Sequence, residues 1–223
     1  ALLEKIRAGD IGTPLFFQSV FAFQMGEGNH RLKAEHWGGP LQDVGVYCVN
    51  AARHVFGEEP IEATAILHQP KGDPRFIEVE ASIAATLRFP SGGIAQIIAS
   101  FGAAAVDGYR VTGSQAEIEL DPGYRFETAT TMRIRKNGKL EEFLFPQVDQ
   151  FGGQIAYFSD CIDSGTPPEA DGEEGLADMR VLLAIEEAAK SGRPVAINSP
   201  ARPHHPSADM VRLCPVTTKR LLV

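Results

Sequence analysis

Cysteine is scarce in this chain. There are three in 223 residues, Cys48, Cys161 and Cys214. They are too few and too scattered for a disulfide framework, and no Cys-x-x-Cys pair exists to hold a metal. Basic charge is short as well: 21 Lys and Arg stand against 29 Asp and Glu, a formal net charge of −8. That balance argues against a nucleic acid or an anionic membrane as partner. No apolar run approaches the roughly 18 residues that cross a bilayer. P-loop, HExxH and GxSxG signatures are absent. The nearest approach to a dinucleotide fingerprint, Gly26-Glu27-Gly28-Asn29-His30-Arg31, lacks the third glycine and opens no helix. The six histidines (His30, His36, His54, His68, His204 and His205) show no ligand spacing with Cys, Asp or Glu, so no metal is expected. The His204-His205 pair reads as solvated. There is no initiator Met and no signal peptide; Ala1 to Gly9 reads as a helix ending on a glycine, as though the chain were entered in mid-protein. The expected compartment is the cytoplasm, with export left open because a signal would lie outside this chain.

What is present is an ordinary globular composition, 43% hydrophobic and 22% charged, on a chain long enough to bury a core without staples. Pro14 to Met25 is rich in Phe and Val and reads as a strand. Gly26 to Trp37 is polar and reads as a loop. Gly38 to Phe56 is helical, with Leu41, Val44, Cys48, Ala52 and Val55 on an apolar stripe. From Ile61 the period changes to two. Apolar residues at Ile77, Val79, Ala81, Ile83, Ala85, Leu87 and Phe89 predict one long strand with a dry face. A turn at 90–93 leads to an antiparallel partner over Ile94 to Phe101. Strands follow at Tyr109–Thr112, Glu117–Leu120, Met132–Lys136 and Leu140–Phe145, the last two joined through Asn137-Gly138. Helices are expected over Gln154–Ser164 and from an Asp171 cap onward, the latter burying Leu176, Met179, Leu183 and Ile185. The fold class is therefore α+β: an open, mainly antiparallel sheet of about six or more strands with helices on one face. One domain spans 1–197, and the proline-rich 198–223 forms an extended arm. The sheet's second face is partly apolar and calls for a cover, either a partner domain or a second copy.

The chemistry-bearing segment is the helix over 38–56. At about 100° per residue, Asp43, Tyr47, Asn50 and His54 fall within a sector of about 40–60°, away from the apolar stripe. The helix thus offers a carboxylate, a phenol, an amide and an imidazole in a row. A phenol can give or take a proton, and a carboxylate can orient a hydroxyl. On pattern alone such a row reads more often as a solvated helix face. The glycines before Pro40 point the other way, because they let a ligand or another backbone come close to the helix start.

At this helix the sequence resembles the glucose–fructose oxidoreductase group of the Gfo/Idh/MocA oxidoreductases. The resemblance is carried by GGPLQDVGVYCVNAARHVFGEEP, DPRFIEVEASIAATLRFPSGGIAQIIASF, YRVTGSQAEIEL and GEEGLADMRVLLAIEEAAKSGRPV. It covers roughly Ala1 to Ile197 and matches the C-terminal domain of that family only. It implies an intact protein that oxidises or reduces a sugar or polyol with NADP or NAD, held by an N-terminal Rossmann domain that has no counterpart here. Carried over by position, Tyr47 would be the proton donor or acceptor at the sugar hydroxyl and Asp43 would orient the substrate. Asn50, Arg31, His36 and Tyr109 are candidate sugar contacts, with Lys33 and Arg110 behind them. The resemblance also implies a homodimer or tetramer through the sheet face. The chain alone is expected to be inactive and to hold no cofactor. The alternative is a non-catalytic binding or dimerisation module of the same fold. Pro40 stands where the family's third glycine is usual, and the 26–37 loop is the least family-like stretch. That leaves the identity of the sugar open.

Overall fold

The computed structural model describes residues 1–202 and 205–216. His204 and the end of the expected arm lie outside the described residues. A short helix α1 (Leu2–Arg7) leads into β1 (Pro14–Ala22). Two single turns of 3-10 helix (His30–Leu32 and Ala34–His36) follow, then a wide π-type turn (Leu41–Gly45) that runs directly into α2 (Val46–Phe56). Next come β2 (Glu62–His68), β3 (Ser82–Arg88), β4 (Ile94–Ser100), β5 (Val106–Gly113), β6 (Glu117–Asp121), β7 (Thr130–Lys136) and β8 (Lys139–Phe145). Helices α3 (Gln150–Ser164) and α4 (Gly172–Ser191) and a short β9 (Val195–Ala196) complete the order.

All nine strands form one open sheet, in the order β8-β7-β6-β5-β1-β4-β3-β2-β9. Every pairing is antiparallel except β1 with β4. The exception follows from connectivity. Helix α2 carries the chain across the sheet after β1, and the β2–β3–β4 meander then returns β4 beside β1 in the same direction. The expected open, mainly antiparallel sheet with helices on one face is what forms. The hairpin signal also holds: Asn137 and Gly138 both take positive φ, 53° and 73°, as a tight β7–β8 turn requires.

The core lies between the sheet and α2 and α4. Phe17, Leu87, Ile97, Val111 and Ile118 from the strands meet Leu41, Val44, Cys48, Ala52 and Val55 from the α2 segment, all buried. Each large apolar side chain removed from water here contributes about 1.5–3 kcal/mol. The α2 stripe is thus the one its spacing predicts.

Three expectations need correction. The long strand over 77–89 is shorter, because only Ser82–Arg88 pairs. Pro74 opens a 3-10 turn capped by Asp73, and Glu78 is drawn off the strand line by Lys33 Nζ (2.7 Å) and the Ala34 amide (3.1 Å). Ile77, placed on the dry face by its period, is 74% exposed. Second, α4 turns a different side inward. Leu176, Met179 and Leu183 are exposed, while Ala177, Val181, Leu182, Ile185 and Ala188 are buried together with Glu174 and Asp178. The two acids face inward because a buried arginine on α2 binds them. Third, α3 begins earlier than expected and leaves Phe151, Ile155, Phe158 and Ile162 exposed, a stripe at helical spacing. What it packs against is the chain's own C-terminal segment: Arg212 pairs with Asp160 (2.6 Å) and the Asp149 amide donates to the Cys214 carbonyl (2.9 Å). That segment also passes α1, where Arg7 donates to the Pro206 carbonyl (2.8 Å).

Candidate active site

The site is assembled where the loop after β1 folds back on the start of the α2 segment. Gly38 makes the fold possible. A Cβ there would lie 2.4 Å from the Arg31 carbonyl oxygen, so no larger residue fits. Gly39 sits at φ +130°, in the region that favours glycine. With these two glycines the Gly39 amide reaches the Arg31 carbonyl (2.9 Å) and the Gly38 amide reaches the Lys33 carbonyl (3.0 Å). The same closure sets Arg31 Nε against Asp43 Oδ1 at 2.7 Å, a charge-assisted hydrogen bond on a half-buried pair. The loop is pinned from the far side by Glu186 on α4, which accepts from Trp37 Nε1 (2.7 Å) and from the Gln42 amide.

One turn beyond Asp43, Tyr47 stands 53% exposed. Its ring rests edge-on against Phe21 (centroids 5.8 Å) and tilted against Tyr124 (6.2 Å), and Phe21 and Tyr124 stack on each other at 5.2 Å. This aromatic shelf supports the ring on one side while the residue stays half-exposed. Beneath it, Ser19 Oγ lies 2.6 Å from the Tyr124 hydroxyl and 3.2 Å from Cys48 Sγ. Burial pushes the Cys48 thiol up to about 11, so it stays neutral and unreactive. Burial likewise raises Tyr124, which keeps its proton.

The expected sugar contacts do not all converge. Arg31 joins Asp43. His36 is exposed on the same loop, its ring 6.3 Å from that of His30. Lys33 is engaged with Glu78. Asn50 points to the other end of the helix, where its amide donates to Glu174 Oε1 and Asp178 Oδ2, both at 3.0 Å. Tyr109 lies under the helices against Phe17 and Tyr124, its hydroxyl pushed up to about 12 by burial. Arg110 is on the opposite, uncovered face, bonded to Glu119 (3.1 Å). His54 leaves the polar row too: it is buried beside Glu174, and burial lowers its pKa to about 4.

Sequence reading missed Arg53 altogether. It is 1% exposed and is the hub of the interior polar network. Its guanidinium binds Glu59 through two nitrogens (2.7 and 2.8 Å), Glu174 through two (2.7 and 3.1 Å) and Asp178 through one (2.5 Å). The available signal was an Arg between Ala52 and Val55 on the apolar stripe, opposite a pair of acids spaced i, i+4.

Neither Asp43 nor Tyr47 lines the best-formed cavities among the described residues. A cavity of about 440 Å³ lies instead under α1 and α2, lined by Leu2, His54, Tyr109, Met132 and Pro206 among others. Asp43 is partly exposed and Tyr47 half-exposed. The π-type turn that opens the α2 segment carries the Asp43 carboxylate.

The chain thus combines an open, mainly antiparallel sheet with a glycine-gated helical segment that carries an acid and a phenol one turn apart. The Gfo/Idh/MocA C-terminal domain model matches residues 1–119, more than half of the chain, and the chain belongs to that family. It is 26% identical over 199 residues to a D-xylose 1-dehydrogenase (NADP(+)) of Haloferax volcanii, covering 87% of this chain and 59% of that protein. It is 26% identical over 203 residues to a 1,5-anhydro-D-fructose reductase of Ensifer adhaerens (89% and 60%). Among solved structures it is similar to an aldose–aldose oxidoreductase from Caulobacter crescentus complexed with glycerol, with a TM-score of 0.82, 34% identity, and coverage of 88% and 59%. The chain therefore spans about six-tenths of the length of these three proteins.

Proposed function

We propose that this chain is the substrate-side part of an NADP-dependent sugar oxidoreductase, with Tyr47 as the proton-transfer group at the reacting hydroxyl. The observation that carries this is the pairing of a half-exposed phenol, seated on an aromatic shelf, with an acid one turn away that Arg31 holds in place. In reduction the Tyr47 phenol donates its proton to the oxygen that becomes the sugar hydroxyl; in oxidation the tyrosinate takes that C–OH proton back. Asp43, acceptor-only when ionised, orients a neighbouring substrate hydroxyl, and Arg31 fixes the carboxylate's direction. The hydride goes to or comes from NADP. The relatives' names supply the substrate class, an aldose or a keto-sugar. The test is a longer protein that carries this chain behind a nucleotide-binding domain. It is expected to reduce NADP⁺ with D-xylose or D-glucose. Failure with every aldose and keto-sugar offered, in either direction, would refute the reading.

A second role is supported by the uncovered sheet face. Val20, Ala84, Ile98 and Ile66 lie in one cross-strand row there, with Ile66 and Ile98 exposed. Toward β8 the same face turns to alternating charge, with Arg110, Glu119, Arg133 and Glu142 in register. An apolar patch beside a ladder containing both signs suits a self-complementary contact. The chain is expected to sediment as a dimer or tetramer, and Ile98→Glu is expected to give a monomer with an unchanged circular dichroism spectrum. A wild-type monomer at micromolar concentration would rule the contact out.

A further inference from the structure

The polar network between α2 and the N-terminus of α4 holds more acid than base. Arg53 and Arg202 face five carboxylates: Glu59, Glu169, Asp171, Glu174 and Asp178. Arg53 is shared among Glu59, Glu174 and Asp178, and Arg202 between Asp171 and Glu174. Among the described residues no Lys or Arg forms an ion pair with Glu169, although Arg53 and Arg202 are near enough to act on it electrostatically. The Glu169 side chain is only 10% exposed, and its Oε1 has no hydrogen-bond partner among the described residues. Such an orphaned, buried oxygen is costly unless something positive meets it.

The oxygen is aimed at an imidazole. His54 Nε2 lies 4.0 Å from Glu169 Oε1 and 3.3 Å from Glu174 Oε1. The other ring nitrogen, Nδ1, is 3.5 Å from Nδ1 of His205. When His54 donates through Nδ1 to His205, its Nε2 presents a bare lone pair to two carboxylates. Three acceptors then converge with no donor between them. From these positions we propose that His54, Glu169 and Glu174 form a site for one first-row divalent cation of the Zn²⁺ or Mn²⁺ type.

The ligand set fits that chemistry. One imidazole and two carboxylates suit Zn²⁺, Mn²⁺ or Co²⁺ better than Ca²⁺ or Mg²⁺, which take all-oxygen shells. The three ligand atoms lie within 4.8 Å of one another. An ion with bonds of about 2.0–2.2 Å would draw them together by small side-chain rotations. His205 is the outer partner that orients the ring, a common arrangement around ligating histidines. Glu174 is the weakest of the three, since Arg53 and Asn50 already bind its Oε1. Glu169 is the decisive ligand. The ion would tie α2, the segment before α4 and the C-terminal segment together, a staple remote from Tyr47 and independent of the sugar chemistry.

The experiment is calorimetric titration of the chelator-stripped chain with Zn²⁺ and with Mn²⁺, repeated on Glu169→Gln, with Co²⁺ absorption as the spectroscopic arm. Wild type is expected to bind one ion, and saturation is expected to raise the thermal midpoint by about 5–10 °C. The Co²⁺ spectrum should show d–d bands without a thiolate charge-transfer band, which separates this site from the cysteines. Glu169→Gln removes an unpaired buried charge, so it should fold at least as well as wild type and bind no ion. Should that variant fail to fold, His54→Gln carries the same expectation. Absence of saturable binding, or binding that survives both substitutions, overturns the proposal.

Discussion

Arg53→Met is expected to lower the stability of this domain by about 3–5 kcal/mol, read as a shifted urea midpoint followed by circular dichroism. The side chain is buried, and three carboxylates depend on it. Burial opposes its charge, yet the hydrogen bonds of Glu59 and Glu174 more than offset that and hold its pKa above the ordinary arginine value. Methionine fills most of the space, so little of the loss would come from a cavity. The loss comes from leaving Glu59, Glu174 and Asp178 without a counter-charge in a dry site. Arg53→Lys keeps the charge but not the planar fork that meets Glu59 through two nitrogens, so it should fall between the two. A Met variant within about 1 kcal/mol of wild type would mean the network is wet and its charges are screened.

The same network shows where a sequence stops being readable. The α2 stripe was legible because Leu41, Val44, Cys48, Ala52 and Val55 repeat at helical spacing and nothing contradicts them. The β7–β8 hairpin was legible because Asn137-Gly138 has one common use. In α4 the hydrophobic count pointed to Leu176, Met179 and Leu183. The structure instead buries Glu174 and Asp178, since a buried guanidinium 121 and 125 residues away in sequence outweighs a few methylenes. A local pattern does not reveal so distant a partner. The parallel pairing of β1 with β4 is nonlocal in the same way. The shortened β3 has a local cause, Asp73-Pro74 and the Lys33–Glu78 pair, only the first of which is written in adjacent residues.

The candidate site was half legible. Asp43 lies on a π-type turn rather than on the regular helix the wheel assumes, with Tyr47 half-exposed four residues on, and Asp43 meets Arg31 from the loop that the glycines let in. Asn50 and His54 fall on the same face of that wheel, yet α4 covers that end of the helix and turns them into structural groups. The aromatic shelf was out of reach, because Phe21 and Tyr124 are 103 residues apart and meet only after β5 pairs with β1.

The second large effect concerns Tyr47 itself. In a longer protein carrying this chain, Tyr47→Phe removes one hydroxyl from a half-exposed ring and leaves the contacts with Phe21 and Tyr124 intact. Folding stability should change by less than about 0.5 kcal/mol, as for other surface substitutions. Proton transfer by a positioned group is worth about 10²–10⁴ in rate, so turnover should fall at least tenfold while KM stays near its wild-type value. Asp43→Asn, by contrast, acts on orientation and should raise KM for the sugar. The most direct measurement is steady-state sugar oxidation by wild type and Tyr47→Phe, with the urea midpoint of each measured alongside. The expected result is a drop in kcat of tenfold or more at an unchanged midpoint. Equal kcat values for the two proteins would show that the phenol moves no proton and that the exposed face of α2 is not where the chemistry occurs.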